Sequence, residues 1–132
     1  MSGSTILRRE TLANGLVLEF RDLSNRYFGD YHRVRLELRL ILDLATPPEG
    51  AGPELAPLLD SARGRFGKEV VEVRSLERMG VAGESLPQVC ASLVDDFLKA
   101  NIPYFQHPGY LERWLTVRLQ EKGRRRFPFS PA

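Results

Sequence analysis

The stretch "RVRLELRLILDL", residues 33–44, decides the fold. Val34, Leu36, Leu38, Leu40, Leu42 and Leu44 alternate with Arg33, Arg35, Glu37, Arg39, Ile41 and Asp43. A strand points successive side chains to opposite faces, so this period of two places the first set on one face and the charges on the other. A strand with one wet face belongs to an antiparallel sheet, because parallel strands are covered on both sides and read as continuous apolar runs. The stretch argues against a Rossmann-like fold.

Upstream, "TILRRETLANGLVLEFRDL" holds two short runs around Asn14-Gly15, a pair suited to positive φ, and reads as a hairpin. Charge chooses its register. A two-residue loop opposes Glu10 to Glu19 and Arg8 to Arg21, whereas the three-residue loop Ala13-Asn14-Gly15 opposes Arg9 to Glu19. The second is preferred, with Gly15 as the left-handed residue of a bulge. The segment "NRYFGDYHR", residues 25–33, then joins strands two and three as an aromatic-rich loop.

Downstream, the prolines and glycines of Ala45 to Gly52 make the longest expected loop. Leu55, Leu58, Leu59, Ala62 and Phe66 recur at helical spacing, with Pro57 tolerable only in the first turn. In "KEVVEVRSLERMGV", Val71 and Val73 alternate with Glu72 and Arg74, which indicates a fourth strand. Ser85 and Gln88 have the spacing of a capping box before an apolar stripe of Leu86, Val89, Cys90, Leu93, Val94, Phe97 and Leu98. That helix is expected to stop before Pro103, which biases Ile102 away from helical geometry. A second helix can begin at Pro108 and turn Leu111, Trp114 and Leu115 inward. Arg118, Lys122 and Arg124 to Arg126 then lie at its end, where the helix dipole favours cations.

The chain has 132 residues and 42% hydrophobic content, enough for one core without disulfides or metal, so a single domain over 1–132 is expected. A net charge of +2 names no partner. The lone Cys90 forms no internal disulfide, and the amino terminus shows no basic start followed by an apolar run, so no signal peptide is expected and a reducing cytoplasm fits best. No apolar run approaches the roughly 18 residues of a membrane helix, which excludes a membrane-spanning role on length. Only Lys68, Lys99 and Lys122 are lysine among 19 basic residues, a bias that points to a GC-rich bacterial genome.

Few residues can carry chemistry. His32 and His107 are the only histidines, so a three-histidine zinc site cannot form, and one cysteine excludes all-thiolate sites within the chain. A mixed site of Asp30, His32 and His107 can be drawn, but no spacing requires it. Cys90 lies on the apolar stripe, where a thiol acts as a small buried hydrophobe with a raised pKa. Asp95 and Asp96 are adjacent and diverge by about 100 degrees on a helix, so they cannot face one substrate as an acid and base pair. No phosphate loop, dinucleotide fingerprint or nucleophile elbow occurs. No catalytic residue, metal ligand or cofactor is expected, and the chain leans away from being an enzyme.

Two alternatives to catalysis involve binding. Arg33, Arg35 and Arg39 share a strand face, and Arg124 to Arg126 form a basic run, as in nucleic-acid binders. Glu37 and Asp43 interrupt that face, and it lacks the stacking aromatics of sheet-type RNA binders, so nucleic acid is the weaker alternative. The second is a protein partner. Tyr27, Phe28, Tyr31 and His32 in one segment, and Tyr104, Phe105, His107 and Tyr110 in "NIPYFQHPGY", combine apolar bodies with polar tips suited to contact. The favoured reading is that the two segments pack on each other as a cap of the core, the aromatics of the second sealing a joint between two helices.

The combination of "NGLVLEF", a meander strand and "IPYFQHPGY" resembles small uncharacterised bacterial proteins, a domain of unknown function, over most of the chain. That resemblance implies no residue roles. The expected architecture is α+β: a four-stranded, mostly antiparallel sheet with one face covered by the carboxyl-terminal helices. The expected function is a non-catalytic interaction or accessory module of the bacterial cytoplasm. The rivals are a nucleic-acid binder and a small enzyme with an unrecognised site.

Overall fold

In the computed structural model, residues 5–46 and 53–125 are described, without the side chains of Tyr27 and of residues 122–125. Strand β1 (Thr5–Thr11) turns into β2 (Val17–Asp22), followed by β3 (Asn25–Phe28) and the long β4 (Tyr31–Asp43). Helix α1 (Leu55–Phe66) leads into β5 (Glu69–Ala82), and α2 (Leu86–Phe105) and α3 (Tyr110–Arg125) are the last elements among the described residues. The fold is α+β, with one five-stranded sheet whose ladders are all antiparallel. Most of the expected loop from Ala45 to Gly52, and Arg126 of the basic run, lie outside the described residues.

Strand β4 is the centre of the sheet because alternation satisfies both of its faces. Val34, Leu36, Leu38, Leu40, Leu42 and Leu44 are all buried, and the intervening charges are partly or fully exposed. β2 pairs along one side of β4 and β5 along the other. The β1–β2 register sets Arg9 against Glu19, as charge predicts, and Gly15 takes φ +93° in the three-residue loop.

The expected loop at residues 25–33 is instead β3, a two-residue turn at Gly29-Asp30, and the start of β4. β3 continues the line of β2 beside β4. The Leu23 N–H donates to the Arg35 carbonyl at 2.8 Å. The Arg35 N–H donates to the Ser24 hydroxyl at 3.1 Å. A side-chain oxygen thus replaces a backbone one at the kink, and the buried ladder stays satisfied. The four expected strands are therefore present as four pairing lanes, and the kink divides the lane beside β4 into β2 and β3, which makes five strands.

Helices α1, α2 and α3 contribute to one layer on the leucine face. Phe97 of α2 meets Phe20 edge to face at 5.9 Å. Trp114 of α3 reaches Glu72 of β5. Leu55, Leu59 and Ala62 of α1 join the same core. Pro57 sits in the first turn of α1, where its missing N–H costs no helical bond.

Three local expectations change. Ser85 makes no side-chain cap; the chain enters α2 through a 3-10 turn, Gly83–Ser85, in which Ser85 is already helical. α2 also runs through Pro103 to Phe105 rather than ending before it. Proline removes one helical N–H near the carboxyl end, and the helix continues because it carries Phe105 into a fully buried position. Consequently α3 starts at Tyr110, two residues later than the Pro108 expected, after Gly109 turns the chain at φ +93°.

The phase of β5 also departs from the simplest reading. Val71 and Val73 face outward, while Val70, Glu72, Arg74 and Leu76 point with the leucines of β4 toward the helices. Two charges on the covered face need partners, and they have them. Glu72 accepts hydrogen bonds from Arg74 Nε at 3.0 Å and from Trp114 Nε1 at 2.7 Å. Arg118 lies 3.6 Å away. Desolvation pushes the Glu72 carboxyl up, but the donors Arg74 and Trp114, with the charges of Arg74 and Arg118, outweigh it and hold it below the ordinary value. A carboxyl depressed in the folded state contributes stability that is complete above its unfolded pKa and is lost as pH falls through its folded pKa. Denaturant midpoints measured down a pH series should therefore fall more steeply below the ordinary carboxylate range for the parent than for Glu72→Gln. Trp114, the single tryptophan, should change its emission over the same acid range. Parallel pH profiles for the two proteins would remove Glu72 from the acid response.

Candidate functional site

The two aromatic segments do not meet. Phe105 lies beside the β1–β2 turn, its carbonyl accepting a hydrogen bond from Asn14 Nδ2 at 2.9 Å. That turn adjoins the Val17–Ile41 pair, whereas residues 25–33 pair at the opposite end of β4. The run of β4 from His32 to Ile41 spans about 30 Å. His32 and Asp30 remain neighbours at 3.9 Å, but His107 is at the far end, so the three do not converge. Among the described residues, no group of three or more His, Cys, Asp or Glu is placed to hold a metal ion.

Within "NIPYFQHPGY" the aromatics divide. Phe105 and Tyr110 are buried, and their ring centroids lie 5.1 Å apart. Phe97 packs on Phe105 at 6.1 Å and the Arg74 guanidinium lies 5.7 Å from its ring centre. Burial pushes the Tyr110 hydroxyl up, with Arg74 opposing. Tyr104 and His107 are exposed; Tyr104 rests edge-on against Tyr110 at 5.1 Å, and His107 Nδ1 lies 2.6 Å from the Pro108 carbonyl oxygen. The turn is a seam with two residues on its surface.

At the other end, Phe28 and Tyr31 flank the Gly29-Asp30 turn and are exposed, while His32 is half-buried. The Asp30 carbonyl accepts the Gly83 N–H at 3.0 Å, which ties this tip to the entry of α2.

The open face of the sheet is an ion-paired lattice. Glu19, almost fully buried, lies 3.0 Å from Arg21 and 3.4 Å from Arg9. Arg39 bonds Glu37 at 3.0 Å, and Glu77 lies 3.9 Å from both Arg33 and Arg35. A phosphate backbone would have to compete with these carboxylates for each guanidinium.

An apolar concavity runs between β1 and α2. The helix layer stops short of the sheet edge, so α2 covers β2 and β4 but leaves the inner side of β1 open. Leu7 and Arg8 from β1, Asp22 from β2, and Leu86, Pro87, Cys90, Ala91, Val94 and Asp95 from α2 line a groove of about 550 Å³. The β1 register breaks between Ile6 and Arg8, and this bulge releases Leu7 from strict alternation. Arg8 spans the groove: it bonds Asp95 at 3.1 Å and Glu10 at 2.8 Å. Beyond this bridge a second hollow continues along α2 past Leu98, Lys99 and Ile102 to Pro103.

Cys90 forms part of the groove floor and is buried. Desolvation pushes its thiol up, the Asp22 carboxylate pushes it further, and the Ser24 hydroxyl partly opposes. A thiol so disposed is protonated and apolar at neutral pH, which suits a floor and not a nucleophile. Sequence reasoning missed this groove. Its one legible trace is the adjacent pair Ile6-Leu7, which breaks the alternation of β1.

Comparisons with protein-family models, with curated proteins and with solved structures find no match to this chain.

Proposed function

We propose that the chain is a non-catalytic interaction module that takes an apolar segment of a partner protein into the groove between β1 and α2. The observation that carries this reading is the lining itself. Leu7, Leu86, Pro87, Ala91 and Val94 offer an apolar trough, and the Arg8–Asp95 pair crosses it as a polar landmark. Binding sites for side chains combine an apolar concavity with a few placed polar groups in this way. No described helix is long and apolar enough to cross a membrane. A lone cysteine, which can form no disulfide within this sequence, fits a reducing compartment such as a bacterial cytoplasm as the setting.

Ala91 is exposed on α2 and lines the groove without belonging to the core, so Ala91→Arg fills the trough while leaving the helix intact. A partner recovered from lysate of the source organism by the parent protein should bind Ala91→Arg roughly tenfold or more weakly, with the melting temperature unchanged. Equal recovery by the two proteins would move the binding surface elsewhere.

A further inference from the structure

The two edges of the sheet differ in how open they are to another strand. β1 has seven residues and a bulge, and bulged, short edges resist pairing. β5 has 14 residues, its ladder with β4 is regular over the ten residues from Glu69 to Arg78 before a bulge at Met79-Gly80, and β4 is its sole strand neighbour among the described residues. Its exposed side carries Val71, Val73 and Met79, the last two more than half exposed. We propose that β5 pairs antiparallel with β5 of a second copy of this chain, about a two-fold axis normal to the sheet.

The sequence of β5 selects one register. A two-fold normal to the sheet keeps the helix-covered faces on one side, so the axis must pass through a residue that opposes itself. Centring on Arg74 opposes two arginines. Centring on Val73 sets Glu69 against Glu77 and Lys68 against Arg78, and centring on Leu76 sets Arg74 against Arg78. Centring on Ser75 avoids every like-charge pair from Val71 to Met79, up to the bulge at Met79-Gly80. It sets Glu72 opposite Arg78 of the second copy on the covered face, and Val71 opposite Met79 on the open face. Opposite charges and apolar pairs placed directly across a ladder stabilise it, and like charges destabilise it. The inward charges Glu72 and Arg74, which guard an edge against arbitrary strands, therefore admit a second copy in this register.

Ser75 is exposed and Cys90 is buried, so a Ser75→Cys variant has one accessible thiol among the described residues. In the Ser75-centred register the two new residues have Cα atoms about 4.5–5.5 Å apart, within the span of a disulfide. Oxidised glutathione should convert Ser75→Cys to a covalent dimer, while Val71→Cys, displaced from its own copy by about 26 Å along the strand, should not cross-link. Sedimentation equilibrium should show a monomer–dimer equilibrium for the parent. Val71→Lys with Met79→Lys should weaken it roughly tenfold or more, and Val71→Glu with Met79→Lys should restore it. A parent that stays monomeric up to millimolar concentration overturns the proposal, as does cross-linking of Val71→Cys as fast as Ser75→Cys. A dimer unaffected by the double lysine change would likewise place the contact off β5. None of these variants touches the β1–α2 groove, so failure here leaves the partner-binding reading standing.

Discussion

Leu38→Ala should lower the unfolding free energy by about 2–5 kcal/mol, measured by denaturant titration. Leu38 is fully buried at the middle of β4, opposite Phe20 on β2 and Arg74 on β5. Removing its branched end leaves a cavity between three strands and the helix layer. The surroundings can collapse little, because the hydrogen-bonded ladders on both sides hold the sheet spacing. Arg35→Ala on the opposite face of the same strand gives the control. Its guanidinium is partly exposed and 3.9 Å from Glu77, and exposed pairs of this kind contribute about 0–1 kcal/mol. Equal losses for the two variants would mean that β4 is covered on both faces.

That contrast explains why both the strand and its buried face were readable in β4, whereas in β5 the strand was readable and its buried face was not. In β4 every even position from Val34 to Leu44 is aliphatic, so only one phase buries apolar surface. In β5 the even positions hold Val70, Glu72, Arg74 and Leu76, and the odd ones hold Val71, Val73 and Ser75. Neither set is apolar throughout, and the outcome depends on Trp114 and Arg118, some forty residues away, which accommodate Glu72. The hairpin register was legible for the opposite reason, since Arg9 and Glu19 are near neighbours across a short loop. Local chemistry could place the turn there unaided.

The ends of α2 show the same division. A serine three residues before a glutamine describes a cap that is available, but the 3-10 turn joined to the Asp30 tip takes its place. The groove lies further still from local pattern. It exists because the helix layer ends before the sheet does, which is a property of the packed layers and not of any segment. Its residues, Leu7 on a bulge and Ala91 on a helix flank, look ordinary when each is read alone.

Phe105→Ala should cost about 3–5 kcal/mol, the usual loss for a buried aromatic truncated in a core. Its ring lies among Phe97, Tyr110 and Arg74, and its backbone carbonyl is held by Asn14, so the side chain fills the point where two helices and two turns of chain converge. Tyr104 is the discriminating neighbour. It precedes Phe105 directly, yet it is 55% exposed and gives ring contacts with Tyr110 and, tilted at 6.0 Å, with Phe105, pairs of the kind worth about 0.5–1.5 kcal/mol each. Thermal or denaturant unfolding of Tyr104→Ala should therefore show a small loss beside the large one for Phe105→Ala. The large term belongs to the seam, since α2 continues past Pro103 in order to bury Phe105. A Phe105→Ala protein as stable as its parent would mean that this ring serves a surface, and that the helix crosses its proline for some other reason.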